Sequence, residues 1–292
     1  MSLDLSGLAV ALATPFKASG EVDLPAFRRL VRHVVEGGVD VLIPLGSTGE
    51  AATLEEPERD VLIATCLEEA HGRPVIAGTG SNSTRQAMAW TARAQALGAQ
   101  GALVVTPYYN KPTINGLVAH YAAIAEAAPG LPLVIYNVPG RTGLNLTPPM
   151  LARLWENPAL VAVKESSGNL TQIGEIARTL PHGKTLLSGD DGLGLPSLAL
   201  GASGLVSVLA NLLPAETRAM VDAARRGSLE RARTLHHRLL PLIDALFLES
   251  NPGPLKAGLQ HLGLAEDVLR LPLVSAEPGT RMKLIGALEA QR

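Results

Sequence analysis

Short apolar runs recur along the chain and determine its predicted architecture. They begin at positions 8, 39, 74, 101, 132, 160, 185 and 204, so the intervals between their starts are 19 to 35 residues. The runs are continuous and not alternating, which is typical of strands covered on both faces in a parallel sheet. Each interval leaves room for one helix and two short loops. The pattern therefore predicts eight strands that alternate with helices.

Between the runs lie helical patterns with recognisable ends. One spans Leu24 to Glu36, and the next spans Leu54 to Ala70. Ser83 and Gln86 have the spacing of a capping box for a third helix, which is expected to end at Gly98. Eight strands alternating with helices indicate an α/β protein with a (β/α)8 TIM barrel. A doubly wound open sheet is the alternative, but the first strand is not followed by a G-x-G-x-x-G turn.

Beyond the eighth run the pattern indicates three or four helices, with breaks at Gly227, Asn251–Pro254 and Pro272–Pro278. We predict a barrel over residues 1–212 and a C-terminal helical extension over residues 213–292 that packs on the barrel. No low-complexity linker separates the two parts. One catalytic unit is therefore expected.

Composition and charge narrow the functional classes. The 292 residues carry 25 basic and 27 acidic side chains without blocks of one sign, which disfavours nucleic-acid and membrane-surface binding. The single cysteine, Cys66, excludes an internal disulfide, and the N-terminal segment lacks the basic residues of a signal peptide. The charge-free run 192–215 contains Pro196 and Asn211, which favours a buried helix and strand over a membrane span. A cytoplasmic enzyme is expected.

Reactive groups of such barrels lie at the carboxyl ends of the strands. Hydroxyl groups dominate these positions here, and three of the four tyrosines are among them. The seven histidines all fall in predicted helices or helix-end loops, and His236 and His237 are expected on a solvated helix surface. A metal centre at the barrel mouth would need clustered histidines, so no metal is expected.

Lys164 is the most informative single residue. It lies in the sixth apolar run, where alternation would place Leu160, Ala162 and Lys164 on one face. Burial disfavours the charged form of a lysine, and a neutral amine can attack a ketone to give a Schiff base. The alternative is a lysine that reaches solvent or pairs with Glu165.

Three further groups could bind or activate a substrate. Ser47 and Thr48 lie in the run Gly46–Glu50, whose hydroxyls and backbone N–H groups could hold a carboxylate, although the same run also fits a capping box. Tyr136, at the end of the fifth run, could donate and accept a proton through its phenol. Arg141 could bind a second carboxylate with its bidentate fork, or is a plain surface arginine.

Seven motifs occur in order and connect these residues to a known family. They are G-S-T-G-E at Gly46–Glu50, G-T-G-S-N at Gly78–Asn82, T-P-Y-Y-N-K-P at Thr106–Pro112, Y-N-V-P-G-R-T-G at Tyr136–Gly143, V-K-E-S-S-G-N at Val163–Asn169, S-G-D-D at Ser188–Asp191 and N-P-G-P-L-K at Asn251–Lys256. With them the chain resembles, over essentially its whole length, the dihydrodipicolinate synthase family. That family belongs to the pyruvate-dependent class I aldolases and is related to N-acetylneuraminate lyase.

The resemblance implies a covalent mechanism that needs no cofactor. Lys164 would form a Schiff base with pyruvate, and Tyr136 would donate and accept protons. Ser47 would link Tyr136 to Tyr109, which would reach across from a neighbouring subunit of a homotetramer. The resulting enamine would attack aspartate semialdehyde, and the product would enter diaminopimelate and lysine synthesis.

The resemblance also implies the substrate-binding groups. Thr48, Gly189 and the backbone near Val206 would contact pyruvate. Arg141 would bind the carboxylate of aspartate semialdehyde.

Two departures from the family pattern bear on specificity and regulation. Ser47 stands where these synthases usually have threonine and where the lyase branch often has serine, so a sugar-acid aldolase or lyase is one alternative. The run Arg141–Gly143 favours the synthase. Lysine-inhibited members carry histidines where this chain has Glu56 and Arg59, so weak or absent inhibition by lysine is expected. A catalytically silent binding or sensor barrel is a second alternative, which the intact lysine and tyrosines disfavour.

Overall fold

Eight parallel strands form the centre of the molecule in a computed structural model that describes residues 3–291. The strands are β1 (Gly7–Ala11), β2 (Val41–Ile43), β3 (Ile76–Gly78), β4 (Gly101–Val105), β5 (Leu133–Asn137), β6 (Leu160–Glu165), β7 (Thr185–Ser188) and β8 (Gly204–Ser207). Their order is β2-β1-β8-β7-β6-β5-β4-β3, and a parallel bridge between Leu42 and Val75 joins β2 to β3. The ring of strands is thereby completed, and the predicted (β/α)8 barrel is confirmed.

Helices follow the strands along the chain. They are α1 (Leu24–Glu36), α2 (Glu56–Glu69), α3 (Thr84–Leu97), α4 (Ile114–Ala127), α5 (Pro139–Thr142), α6 (Pro148–Leu154), α7 (Leu170–Thr179), α8 (Gly194–Ala199), α9 (Pro214–Arg225), α10 (Leu229–Leu246), α11 (Gly253–His261) and α12 (Pro278–Glu289). The first predicted helix has the predicted bounds. The second begins at Glu56 and not at Leu54, because Leu54 is extended and Glu55 is the N-cap, whose backbone N–H donates to the Glu58 carboxylate.

The cap of α3 is half of the predicted capping box. The Ser83 hydroxyl accepts a hydrogen bond from the backbone N–H of Gln86. The Gln86 side chain donates instead to Glu56 on α2, so the reciprocal bond is absent and the full box was a wrong prediction. Gly98 ends the helix as predicted, with a φ of 100° that favours glycine.

Side chains of alternate strand positions fill the barrel interior, and the remaining positions pack under the helices. The interior is lined mainly by small and branched residues, among them Ala9, Ala11, Val41, Ile43, Ile76, Leu103, Val134, Ala162, Leu187 and Val206. Two larger apolar clusters lie between the strands and the surrounding helices. Because both faces of each strand are buried, the strands are continuous apolar runs in the sequence.

An irregularity in β6 decides which residues share the face of Lys164. Leu133 pairs with Leu160, but the next residue, Val134, pairs with Ala162. The extra residue Val161 moves Leu160 to the outer cluster under the helices, while Ala162 lies in the interior. The prediction that Leu160 shares this face is therefore wrong, whereas Ala162 and Lys164 do share it.

The charge-free run 192–215 forms α8, β8 and the start of α9. The predicted buried strand is confirmed, but the predicted burial of the helix is wrong, because α8 packs on the outside of the barrel and only its Gly194 and Ser197 are buried. Within residues 3–291, no helix combines the length and the apolar character needed to cross a membrane. Asn211, near the end of the run, donates to the Ala11 carbonyl and accepts from the Ala13 N–H. It thereby ties the end of β8 to β1.

The C-terminal helices surround one side of the barrel. α9 packs against β1, and Arg218 on α9 donates to Asp40 at 2.8 Å. α10 packs against α9 and α12, which leaves His236 only 6% exposed and lowers its pKa. The expectation of a solvated His236 is therefore wrong, while His237 is exposed as expected. The division after residue 212 stays a prediction.

Candidate active site

Lys164 and Tyr136 meet at the carboxyl ends of β6 and β5. They are paired across the two strands, and the Lys164 Nζ lies 4.2 Å from the centroid of the Tyr136 ring. Lys164 is 5% exposed and Tyr136 is 7% exposed. Glu165 does not pair with Lys164, because its carboxylate accepts hydrogen bonds from the Asn137 side chain and the Ser167 N–H. The amine therefore lies buried against an aromatic face.

Gly189, after β7, leaves the space that the Lys164 side chain occupies. A Cβ at this position would lie 2.7 Å from the Lys164 Cε and 2.1 Å from the Ser166 Oγ. Both distances are shorter than van der Waals contact. The Gly189 N–H donates to the Glu165 carbonyl at 2.8 Å, which holds the backbone in this position. Gly189 therefore lies beside the methylene stem of Lys164, and its predicted contact with pyruvate stays a prediction.

The Gly46–Glu50 loop is a tight turn after β2. The Gly49 N–H donates to the Gly46 carbonyl, and the Glu50 N–H donates to the Ser47 carbonyl, both at 3.1 Å. The Thr14 hydroxyl donates to the Gly49 carbonyl at 2.7 Å and holds the turn against the end of β1. The alternative of a capping box is wrong, because the Glu50 carboxylate contacts Lys256 in the C-terminal extension.

Asn251 connects the two groups that were predicted to bind carboxylates. Its Nδ2 donates to the Thr48 Oγ1 at 2.9 Å, and its backbone carbonyl accepts from the Arg141 guanidinium at 3.0 Å. Thr48 is 3% exposed, whereas Arg141 is exposed on α5. Since the Thr48 oxygen accepts from Asn251, its own proton remains free to donate.

A cavity of about 340 Å³ opens at the carboxyl end of the barrel. Its lining includes Ser47, Tyr108, Tyr136 and Arg141 from the barrel, and Trp90, Pro272 and Leu273 from helices and the C-terminal extension. Among the residues described, Thr48, Lys164, Gly189 and Val206 do not contribute to this lining. Lys164 lies behind it, against Tyr136, and Val206 is buried in β8 beside Ala9.

Tyr109 differs from the other predicted site residues because its side chain extends into solvent and does not line the cavity. Its side chain is 89% exposed and its φ is 71°, an unusual value for a residue with a side chain. The neighbouring Tyr108 is 37% exposed and lines the cavity. The fourth tyrosine, Tyr121, is fully buried and donates to the Val104 carbonyl, and burial raises its pKa.

Arg59 occupies the region between α2 and α3 next to the cavity. Its guanidinium donates to the Gly78 and Ala51 carbonyls and lies 3.9 Å from the centroid of the Trp90 ring. Burial lowers the pKa of Arg59 to about 10, which still leaves it charged at neutral pH. The Arg59 guanidinium borders a second, smaller cavity, which is also lined by Glu56 and Thr79.

The sequence predicted no role for Asn251 and Lys256, although both contact the Gly46–Glu50 loop. Both belong to the motif N-P-G-P-L-K, which was recognised only as part of the family pattern. A lysine inside an apolar helix pattern is the same signal that identified Lys164. That signal could have identified Lys256, but not its partner Glu50, which is 206 positions away.

Comparisons with known proteins agree with this architecture. A sequence model described as the Dihydrodipicolinate synthetase family matches residues 4–291. The chain is 46% identical to the 4-hydroxy-tetrahydrodipicolinate synthase of Syntrophus aciditrophicus over 95% of each chain. It is 50% identical to the enzyme of the same name from Thermomicrobium roseum, over 97% of this chain and 94% of that one.

A solved structure shows the same relationship. Dihydrodipicolinate synthase from Aquifex aeolicus superposes with a TM-score of 0.95 at 42% identity, and the match covers 98% of both chains. Fold, motif order and full-length similarity thus agree. The chain belongs to the dihydrodipicolinate synthetase family.

Proposed function

We propose that this protein condenses pyruvate with aspartate semialdehyde to give 4-hydroxy-tetrahydrodipicolinate, the first committed step of diaminopimelate and lysine biosynthesis. The observation that carries the proposal is the Lys164 amine, buried at the end of β6 against the Tyr136 ring. The names of the full-length relatives support the choice of substrates.

The first step is attack of the neutral Lys164 amine on the keto carbon of pyruvate. Loss of water from the resulting carbinolamine gives a Schiff base. The protonated imine withdraws electrons from the adjacent methyl group, so a proton is lost there and an enamine forms. No separate cofactor is needed for this activation.

Tyr136 transfers the protons of these steps, since its ring lies against the Lys164 amine and its hydroxyl can both donate and accept. Ser47 borders the same cavity and passes the proton onward. Tyr109 of a neighbouring subunit completes the relay. Its exposure in the single chain fits a role at an interface with a second copy.

Two carboxylates have to be bound at the site. The Thr48 hydroxyl and the backbone near Val206 and Gly189 contact pyruvate. Arg141 binds the carboxylate of aspartate semialdehyde through its guanidinium fork. The bond from Arg141 to the Asn251 carbonyl leaves further N–H groups of the guanidinium available for this contact.

Carbon–carbon bond formation follows. The enamine carbon attacks the aldehyde carbon, and the oxygen takes up a proton to become the 4-hydroxyl group. The amino group of the former semialdehyde then attacks the imine carbon and closes the ring. The Lys164 amine leaves and is regenerated. The relay needs a second subunit, so the working form contains at least two copies of the chain. We propose that it is a cytoplasmic homotetramer, as the family resemblance implies.

Reductive trapping tests the Schiff base directly. Protein treated with pyruvate and borohydride is expected to gain the mass of one reduced pyruvate, on the peptide that contains Lys164. Lys164→Met should abolish the adduct. Lys184→Met is the matched control, because Lys184 is a partly buried lysine that donates to the Leu160 carbonyl, and this variant should keep the adduct. Wild-type protein without an adduct on Lys164 would contradict the proposal.

A further inference from the structure

The segment Asn251–Lys256 contacts the Gly46–Glu50 loop at two points, although the proposed chemistry gives neither Asn251 nor Lys256 a role. Asn251 donates to Thr48 within the loop. Lys256, on α11, forms an ion pair with Glu50, the last residue of the loop. Neither residue lines the main cavity in the described part of the chain. The contacts therefore act on the loop and not on the substrate.

Lys256 is completely buried, and its amine is held by a carbonyl, an aromatic ring and the Glu50 carboxylate. Its Nζ donates to the Val268 carbonyl at 2.7 Å and lies 4.1 Å from the centroid of the Phe16 ring. Burial lowers the pKa of Lys256 to about 8, while the Glu50 carboxylate opposes this shift. A buried ammonium of this kind needs a carboxylate partner, and Glu50 supplies it.

Glu50 has a backbone conformation that a residue with a side chain seldom adopts. Its φ of 52° and ψ of 38° lie in the left-handed region. Such conformations persist only where the surroundings fix them. Here the carboxylate is held by Lys256 and by the backbone N–H of Arg270 at 3.0 Å, while the Glu50 N–H closes the turn onto the Ser47 carbonyl.

We infer that Lys256 is a positioning residue for pyruvate binding: through Glu50 it holds the Gly46–Glu50 loop with the Ser47 and Thr48 hydroxyls facing the substrate. The inference rests on the proposed function, in which Thr48 binds the pyruvate carboxylate. A pair that served only the stability of the fold would show no separate effect on pyruvate.

The decisive comparison is between single and double variants. Lys256→Met leaves the Glu50 carboxylate buried without its cation, so its melting temperature is expected to fall. Glu50→Gln/Lys256→Met removes both charges, and its melting temperature should return towards that of the wild type. In this double variant we expect a KM for pyruvate about tenfold higher than that of the wild type, because the loop is no longer held. Its kcat should stay within about twofold of the wild type, because Lys164 and Tyr136 are untouched.

A second ion pair of the same extension supplies the control. Arg218 on α9 pairs with Asp40 at 2.8 Å, and Asp40 precedes β2, whereas the Gly46–Glu50 loop follows it. Asp40→Asn/Arg218→Met should therefore leave the KM for pyruvate unchanged.

Three outcomes would count against the inference, and they can be told apart. A Glu50→Gln/Lys256→Met variant with the wild-type KM for pyruvate would overturn the positioning role alone. An equal rise of KM in the control pair would overturn it too, because the effect would then come from general docking of the extension. Failure to trap pyruvate on Lys164 of the wild type would overturn the proposed function, and this inference with it.

Discussion

Gly189 limits the conformations that the Lys164 side chain can adopt. Any Cβ at this position overlaps the Lys164 side chain and the Ser166 hydroxyl. The lysine stem would have to move, and displacements of about 1 Å at a reacting group can reduce activity by about 100-fold. The absence of a side chain at Gly189 is thus part of the site.

We therefore expect Gly189→Ala to lower kcat/KM for pyruvate by about 100-fold. Steady-state assays and the rate of borohydride trapping would both report the loss. Gly286→Ala on α12 is a suitable control, since a Cβ there meets no atom within 4 Å. A Gly189→Ala variant that traps pyruvate at the wild-type rate would show that the overlap is relieved without moving Lys164.

At the scale of elements, a buried histidine joins α3 to α4. His120 on α4 is 4% exposed, and its Nδ1 and the Thr84 hydroxyl on α3 form a 2.9 Å hydrogen bond. Burial lowers the pKa of His120 to about 4. In the unfolded chain the pKa is about 6.5. The unfolded chain therefore binds a proton between these pH values that the folded protein does not bind.

It follows that the free energy of unfolding should fall as the pH is lowered from about 6.5 to about 4. His120→Gln is expected to reduce this slope in urea unfolding curves measured across that range. Some slope should remain, because burial also lowers the pKa of His33 and His236. The exposed His237 provides the control variant, His237→Gln. An unchanged slope in His120→Gln would show that His120 titrates alike in both states.

The elements were largely predictable because strands covered on both faces and helices with clear ends leave local patterns in the sequence. All eight strands and the bounds of α1 followed from such patterns. The extra residue in β6 did not, because one inserted residue leaves an apolar run apolar while reversing its faces. The burial of His236 also depends on partners far along the chain, and no local pattern reports them.

The same contrast applies to the site. Lys164, Tyr136 and Gly189 come together because each ends a strand, and the barrel brings strand ends to one side. Lys256 contacts Glu50 only through the tertiary packing of the extension. No local sequence pattern around either residue indicates this contact. Tyr109 could be named from its motif, but its action in another subunit stays a prediction.

At the scale of the whole molecule, the role proposed for the exposed Tyr109 predicts that activity depends on assembly. If Tyr109 acts in a neighbouring subunit, Tyr109→Phe and Lys164→Met should each be nearly inactive alone. Mixed subunits would contain sites with Lys164 from one chain and Tyr109 from the other. Random mixing should therefore restore up to about a quarter of the wild-type activity.

Subunit mixing after mild dissociation, followed by a steady-state assay, would measure this recovery. Mixing Lys164→Met with Tyr136→Phe is the control, because both residues belong to the same strand pair of one chain. That mixture should stay inactive. Absence of recovery in the Tyr109 mixture, with mixed oligomers demonstrated by mass spectrometry, would contradict the role in trans.

The bonds from Asn251 to both Thr48 and Arg141 have a consequence for protein engineering. A barrel shortened to residues 1–212 would keep each side chain proposed to touch a substrate. It would lack Asn251, which contacts both of the proposed carboxylate-binding groups. Transplanting the catalytic loops onto another scaffold should therefore also require the Asn251–Lys256 segment, because the spacing of the two proposed groups then depends on a residue outside the strands and loops that carry them.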